Sequence, residues 1–154
     1  SNGPTALLLS RQNLAPQKRT ATQLGLIEKG GYILHDSKEE PQVILIATGS
    51  EVELAMEEEK SLAKAKVATR VVSMPSPEIF EAQDEAYKES VLPKAITARV
   101  AVEAGWADYW FKYVGLSGKI VGMHSFGESG PAEQLYEVFG ITADAVVKAA
   151  KSLL

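Results

Sequence analysis

The chain has 154 residues and a mass of 16.6 kDa, and 45% of its positions are hydrophobic, which suits one globular domain with a buried core. It contains no cysteine, which excludes disulfides, thiolate metal sites and cysteine nucleophiles and favours the cytoplasm as its location. Its 16 Lys and Arg against 20 Asp and Glu give a formal net charge of −4, and this balance argues against a nucleic-acid partner.

Residues 1–42 are predicted to differ from the rest of the chain. Thr5–Ser10 has the composition of a strand, but a polar connector follows where a crossover helix would be expected. Because a strand without its sheet is marginal in water, either it pairs with the downstream strands or the chain is part of a larger protein, and we favour the second interpretation. Tyr32–His35, introduced by Gly30 and Gly31, predicts a short edge strand.

Four short apolar runs alternate with helical patterns from residue 43 onward, which is typical of parallel strands joined by helical crossovers. They are too apolar for half-exposed strands, so we expect helices on both faces of the sheet. The longest uninterrupted apolar run is far shorter than a membrane helix, so no membrane partner is expected. The predicted strands are Val43–Thr48, Val67–Ser73, Thr97–Glu103 and Lys119–Met123.

Helix start and stop signals lie between these strands. Ser50 and Glu53 have the S-x-x-E spacing of a capping box, and the helix that they begin should end near Lys66. The further helices are predicted between Pro75 or Pro77 and Pro93, between about Pro131 and Gly140, and from about Thr142 to the end of the chain.

The loops at the carboxyl ends of the strands form the default binding site of an open parallel sheet. The turn Thr48-Gly49-Ser50 has backbone N–H groups suited to an anion, although a tight turn with a capping serine explains the same residues better. Neither a G-x-G-x-x-G nor a P-loop pattern occurs, which argues against a flavodoxin-like or other nucleotide-cofactor protein. The loops follow Thr48, Ser73, Glu103 and Met123.

The remaining titratable candidates carry weak signals. His35 and His124 have no neighbour at metal-ligand or triad spacing, so both are interpreted as ordinary hydrogen-bonding residues. Glu57, Glu58 and Glu59 point in different directions on a helix and cannot converge on one ion, so they are interpreted as a solvated face.

Four aromatic residues recur at helical spacing and are predicted to form one stripe on a helix. Such a stripe is most often core, and a subunit or interdomain contact is the alternative. The residues are Trp106, Tyr109, Trp110 and Tyr113.

Arg11 is the candidate ligand-binding residue. It follows the first predicted strand within the polar run S-R-Q-N, where a guanidinium can bind a phosphate or carboxylate through two hydrogen bonds. From chemistry alone, a solvated or salt-bridged arginine is the more common outcome.

Seven segments, in order along nearly the whole chain, resemble the C-terminal part of transketolase. Each alone is only a strand-and-turn pattern, but their collinear order is specific. The segments are G-P-T-A-L-L-L-S-R-Q-N-L, I-A-T-G-S-E-V-E-L-A, V-V-S-M-P-S, Y-K-E-S-V-L-P, A-R-V-A-V-E-A-G, A-D-Y-W-F-K-Y-V-G and F-G-E-S-G-P-A.

The resemblance implies a homodimeric enzyme that uses thiamine diphosphate with Mg²⁺ or Ca²⁺. It transfers a two-carbon ketol unit between sugar phosphates in the pentose phosphate pathway, and this chain would be its last part. In that family the cofactor is held by a G-D-G…N pattern and activated by a glutamate, and neither can be assigned here. We therefore expect this chain to hold no cofactor, metal or catalytic residue and to be inactive alone.

The resemblance also divides the chain and assigns a fold. Residues 1–24 would close the pyrimidine-binding domain and form a linker, and residues 25–154 would be the C-terminal domain. That domain is expected to be a three-layer α/β fold with a mostly parallel, mixed five-stranded sheet, mainly structural and dimer-supporting. Arg11 matches the family residue that binds the substrate phosphate. The alternative function is an independent regulatory module that binds a small anion in the crevice at the strand carboxyl ends.

Overall fold

The computed structural model describes residues 3–4, 6, 9–10 and 12–154. Within them, one five-stranded sheet forms the centre of the molecule. Its strands are β1 (Tyr32–His35), β2 (Val43–Ala47), β3 (Thr69–Ser73), β4 (Arg99–Trp106) and β5 (Lys119–Met123). The strand order is β1-β3-β2-β4-β5, with β1 antiparallel to β3 and all other pairs parallel. This confirms the predicted mixed sheet with one antiparallel edge strand.

The helices of the described residues cover both faces of the sheet, which confirms the three-layer α/β fold class. Helices α2 and α7 pack on one face, and α3, α4 and α5 pack on the other. The helices are α1 (Ala21–Leu26), α2 (Glu51–Lys64), α3 (Pro77–Glu81), α4 (Glu85–Val91), α5 (Phe111–Val114), α6 (Ala132–Val138) and α7 (Ala143–Lys151), with 3₁₀ turns at Ile27–Lys29 and Ala107–Trp110.

Central strand β2 shows why the sheet is buried on both sides. Its side chains alternate between the faces, so Leu45 packs in the core under α2 and α7, while Ile44 and Ile46 pack in the core under α3, α4 and α5. All three side chains are fully buried. A continuous apolar run is therefore the sequence that this strand requires.

Two of the predicted strands, β1 and β5, have the predicted bounds, whereas β4 continues past its predicted end at Glu103 to Trp106. Its pairing with β5 shifts register between Val102 and Trp106, which is a β-bulge. Gly122 of β5 lies opposite the bulge, where a Cβ atom would come within 3.2 Å of the Glu103 carbonyl oxygen. The irregularity lies at the carboxyl edge of the sheet, where bulges commonly redirect side chains.

The predicted capping box at Ser50 and Glu53 is wrong. Ser50 has helical backbone angles (φ −65°, ψ −30°) and makes no capping hydrogen bond. Its hydroxyl instead donates to the Glu51 carboxylate at 2.6 Å, because that side chain is buried beside it. A capping box does occur at Thr20, whose side chain and that of Gln23 satisfy each other's backbone N–H groups at the start of α1.

The single helix predicted before Pro93 is two helices, α3 and α4. The chain turns after Glu81, and the Asp84 carboxylate then accepts a hydrogen bond from the Tyr87 N–H at 2.7 Å. An N-cap of this kind begins a new helix and explains the break. The helices predicted near Pro131 and Thr142 are confirmed as α6 and α7.

The N-terminal predictions fall largely on residues that the structure does not describe. Thr5, Leu7 and Leu8 of the predicted strand, and Arg11, lie outside the described residues, while Ala6, Leu9 and Ser10 are not in a strand. Among the described helices, none is both long and apolar enough to cross a bilayer.

Candidate functional site

Two adjoining cavities of about 680 and 750 Å³ lie at the carboxyl edge of the sheet, where the sequence placed the default site. Ala104 of β4 and Met123 of β5 line the first, the start of α2 lines the second, and α6 separates them. Gln12, in the connector that precedes α1, lines both. The crevice is therefore formed by strand ends, two helices and the N-terminal connector together.

A buried carboxylate organises this crevice. Glu51, at the first position of α2, is only 5% exposed. One carboxylate oxygen accepts hydrogen bonds from the Ser50 hydroxyl at 2.6 Å and from the Tyr136 hydroxyl, and the other accepts from the Ala104 N–H at 3.1 Å. These bonds satisfy the buried charge and tie the start of α2 to the bulge of β4 and to α6.

The same contacts decide between the two interpretations of the Thr48-Gly49-Ser50 turn. The Glu51 carboxylate sits at the N-terminal end of α2, the end where the helix dipole favours negative charge. The Ser50 hydroxyl is already committed to that carboxylate. An external anion would meet this buried negative charge, so the turn is better explained as structure than as an anion site.

The Tyr136 hydroxyl is strongly perturbed by this environment. Burial, followed by the hydrogen bond to Glu51, raises the pKa of Tyr136 to about 12. A tyrosine whose pKa is higher in the folded than in the unfolded chain stabilises the fold at pH values below its ordinary pKa. That contribution is lost as the pH rises from about 10 to about 12.

We therefore expect the Tyr136→Phe variant to lose less stability than the parent chain between pH 10 and pH 12. Urea unfolding at a series of alkaline pH values measures the difference, and near-ultraviolet absorbance follows phenol ionisation directly. Equal pH slopes for the two proteins would contradict a raised Tyr136 pKa. Tyr87→Phe should change the pH slope in the same direction, because burial also raises the Tyr87 pKa, and it is a second test of the same linkage at a hydroxyl that donates to the Gly31 carbonyl oxygen.

The N-terminal connector lies along this crevice and is attached to it. The Glu53 carboxylate accepts a hydrogen bond from the Ala15 N–H at 3.2 Å. Gln12 and Tyr136 both line the two cavities. Further along, Arg19 donates to the Tyr32 hydroxyl of β1 at 2.6 Å. The connector is thus hydrogen-bonded to the domain at two points, α2 and the edge strand β1.

Arg11 precedes Gln12 directly in the chain, and its own position lies outside the described residues. The prediction that it binds a ligand therefore stays a prediction. The described lining of the second cavity carries five carboxylates and neither lysine nor arginine. They are Glu51, Glu53, Glu57, Glu133 and Glu137.

The predicted aromatic stripe is wrong as one helical face. The segment passes from the end of β4 through a 3₁₀ turn into the short α5, so the helical spacing does not apply throughout. Trp110 and Tyr113 are core, and the Trp110 indole N–H donates to the Glu103 carboxylate at 2.6 Å. Trp106 and Tyr109 are 56% and 50% exposed. The prediction that these aromatic residues belong to the core is therefore confirmed for Trp110 and Tyr113 and is wrong for Trp106 and Tyr109.

The other titratable candidates have structural explanations. His35 lies 3.2 Å from the Glu59 carboxylate, and His124 is exposed in the loop after β5. The predicted solvated face is wrong in part, because Glu58 and Glu59 are 5% and 9% exposed. Burial raises the pKa of Glu58 despite its hydrogen bond from Ser61. Over the residues that the structure describes, no cluster of acidic or histidine side chains is arranged to hold a metal ion.

Sequence reasoning missed Glu51 and Tyr136 as the centre of the crevice. The contact joins positions 85 residues apart, which no local pattern reveals. One signal was available for Glu51, since an acidic residue directly after a buried strand and a glycine turn stands at a helix start on the carboxyl edge.

Comparison with known proteins identifies the domain that forms this crevice. A family profile described as the transketolase-like TK C-terminal domain matches residues 30–142. Transketolase 1 of Escherichia coli (strain K12) is 64% identical over 153 residues, which are 99% of this chain and 23% of that relative. The chain therefore spans under a quarter of the length of this relative.

Solved structures agree with the sequence comparison. Transketolase from Leishmania mexicana matches with a TM-score of 0.83 and 38% identity, over 93% of this chain and 20% of that chain. A mutant transketolase from Pichia stipitis, in complex with fructose 6-phosphate, matches with a TM-score of 0.81 and 35% identity over the same shares.

Proposed function

The chain belongs to the transketolase family, of which it carries the C-terminal domain, and from that membership we propose that it is part of an enzyme that transfers ketol groups between sugar phosphates. The observation that carries the proposal is 64% identity to a transketolase across 99% of the chain. The Pichia stipitis relative supports the substrate class, because that protein is in complex with fructose 6-phosphate. The transfer would require the parts of the enzyme that this chain does not span.

Thiamine diphosphate and its divalent metal would be held by those other parts. The described residues do not fit a metal site, since they bring no three acidic or histidine side chains into an arrangement that could hold a metal ion. The corresponding expectation is that titration of this chain with thiamine diphosphate and Mg²⁺ gives no saturable heat. A saturable binding heat would contradict the proposal that other parts of the enzyme hold the cofactor, and it would indicate a cofactor site in this chain.

The domain's own contribution would be structural, together with one substrate contact. Residues 1–24 would close the pyrimidine-binding domain and form the linker, and residues 25–154 would be the C-terminal domain of a homodimer in the cytoplasm. The exposed apolar side chains suit packing against further parts of the enzyme. They include Trp106, Phe111, Leu116, Phe126 and Val138.

Arg11 would bind the phosphate of the sugar substrate. In the full-length enzyme, Arg11→Ala is expected to remove a charge-assisted contact of about 1.5–3 kcal/mol. The KM for a phosphorylated sugar should then rise by about tenfold to a hundredfold. Steady-state kinetics with fructose 6-phosphate and with fructose check this, because only the first carries the phosphate. Equal losses for the two sugars would rule out the phosphate role.

The alternative function, an independent module that binds a small anion in the strand-end crevice, is not favoured by the charges there. The described side chains that line the two cavities include six glutamates and no cationic group. A thermal-shift screen of anionic metabolites on the isolated chain tests it. A stabilising hit that Ser50→Ala abolishes would support the regulatory module over the supporting domain.

A further inference from the structure

We propose that a third cavity at the carboxyl edge of the sheet binds an organic cation, and a guanidinium group best. This aromatic cavity has a volume of about 510 Å³ and is lined by Pro77 and Glu78 of α3, by Glu103 and Trp106 of β4 and by Tyr109. Small-molecule sites typically have about 300–1,000 Å³, mostly apolar and aromatic walls and a few polar groups. Binding there would be additional to the proposed ketol transfer.

The aromatic walls of this cavity are suited to a positive charge. Trp106 and Tyr109 are each about half exposed, although large aromatic side chains usually bury most of their surface. Tyr109 packs edge-on against Trp110, but no described aromatic ring or cationic side chain packs on the Trp106 ring. Because the face of an indole carries the negative part of its quadrupole, Trp106 offers a ring that is available to a cationic ligand.

Two carboxylates give the aromatic cavity a negative charge. Glu103 accepts the Trp110 indole N–H through one oxygen at 2.6 Å, and its other oxygen accepts no hydrogen bond from the described residues. A Glu78 oxygen lies 3.5 Å from the Tyr109 hydroxyl. None of the described residues that line the cavity is a lysine or an arginine. The charge of the cavity therefore favours a cation over a neutral or anionic ligand.

The Glu103 carboxylate is held in place before any ligand binds. Its partner Trp110 is only 1% exposed and is therefore fixed in the core. The position beside it must be glycine for the carboxylate to lie there, since a Cβ atom at Gly105 would come within 2.9 Å of the carboxylate carbon and one of its oxygens. A carboxylate that is already ordered loses little conformational entropy on binding, which favours affinity.

A guanidinium matches this arrangement better than an ammonium does. It is planar, so it can stack on an indole while its N–H groups donate to a carboxylate. An ammonium is a compact, strongly hydrated charge and cannot make both contacts with the same geometry. The ammonium of Lys112, in the neighbouring α5, already pairs with Glu81 at 2.8 Å.

The fluorescence of the chain reports on this cavity alone. The chain has two tryptophans, and both of them, Trp106 and Trp110, line the cavity. N-acetyl-arginine amide is titrated into the chain, with N-acetyl-citrulline amide as an uncharged probe of the same shape. We expect saturable binding of the arginine probe with a Kd of about 1 mM or tighter. The citrulline probe should bind about tenfold more weakly or less, and N-acetyl-lysine amide about threefold more weakly.

Variants of the chain locate the bound probe. Trp106→Leu keeps apolar surface but removes the ring, and it should weaken binding of the arginine probe about threefold to tenfold. Glu103→Gln keeps an acceptor for the Trp110 N–H but removes the charge, and it should weaken binding about tenfold. The matched controls are Phe111→Leu, at an exposed aromatic residue outside the cavity lining, and Glu57→Gln, in the second cavity. Neither control should change the Kd.

Three results would overturn the proposal. The first is the absence of saturable binding of the arginine probe, and the second is equal binding of the arginine and citrulline probes. The third is a Kd that Trp106→Leu and Glu103→Gln leave unchanged, because the probe would then bind elsewhere. Glu78→Gln, at the exposed start of α3, keeps the charge test valid where Glu103→Gln proves unstable.

Isothermal titration of the full-length enzyme separates two sources of the cation. If the natural ligand is a free small molecule, the arginine probe binds the full-length enzyme as it binds the chain alone. If a cationic side chain from another part of the enzyme fills the cavity, the probe binds only the chain alone, and Glu103→Gln lowers the Tm of the full-length enzyme more than that of the chain. Loss of probe binding without this difference in Tm would mean that an apolar contact covers the cavity, and it would overturn the proposal.

Discussion

Gly30→Ala is expected to destabilise the chain by about 3 kcal/mol or more, since it combines backbone strain with a steric clash. Gly30 ends the 3₁₀ turn Ile27–Lys29 with φ +79°, a left-handed conformation that side chains disfavour. A Cβ atom there would lie 2.3 Å from the Ser76 carbonyl oxygen and 2.5 Å from the Phe80 backbone nitrogen. The first belongs to the N-cap of α3 and the second to the helix itself, so the helix would have to move.

Gly140→Ala is the matched control for this prediction. Gly140 also has a positive φ, of +68°, but a Cβ atom there would meet nothing within 4 Å. The Gly140→Ala substitution should therefore lower the free energy of unfolding by backbone strain alone, about 1–2 kcal/mol. Urea unfolding of the two variants and the parent chain measures the free energies. Similar losses of unfolding free energy in the two variants would mean that α3 moves easily to make room for the added Cβ atom. Close packing at Gly30 would then contribute little to stability.

The regular part of the fold is predictable because local patterns determine it. A continuous apolar run identifies β2, since a strand covered on both faces needs apolar side chains at every position. Gly140 and Thr142 mark the end of α6 and the start of α7 correctly, because capping depends on neighbouring residues alone. The arrangement of the sheet, with its single antiparallel edge, follows from the resemblance.

The errors arise where tertiary contacts override a local pattern. Ser50 has the spacing of a capping residue, but the buried Glu51 side chain captures its hydroxyl. The charges of Glu58 and Glu59 predict a solvated helix face, but the rest of the fold packs against α2 and buries both side chains. Tyr136 gave no signal at all, because its role depends on a partner 85 residues away. The position of the crevice could be predicted, because it lies at the carboxyl ends of the parallel strands. The hydrogen bonds of Glu51 and Tyr136 at its centre could not be predicted from the sequence.

Arg99→Met is expected to destabilise the chain by about 3 kcal/mol, because the guanidinium joins α5 to the end of α4 and the loop that follows it. Its nitrogens donate to the carbonyl oxygens of Leu92 at 3.0 Å, Pro93 at 2.7 Å, Ile96 at 2.9 Å and Tyr113 at 2.8 Å. Those carbonyls lie at the end of α4, in the loop that follows it and in α5. Methionine fills the space but donates nothing, so partly buried carbonyl groups lose their partners.

The planar guanidinium accounts for this role better than its charge does. Burial lowers the pKa of Arg99, and the largest opposing influence is the nearby Glu89 rather than a carboxylate bound to the guanidinium. Arg99→Lys keeps a positive charge, but an ammonium has three donors and cannot span the four carbonyls. We therefore expect Arg99→Lys to recover less than half of the stability that Arg99→Met loses, as measured by urea unfolding. Lys119→Met, at the exposed start of β5, controls for the loss of a cation and should have little effect. Full recovery by lysine would show that charge, rather than the fork of hydrogen bonds, holds these segments together.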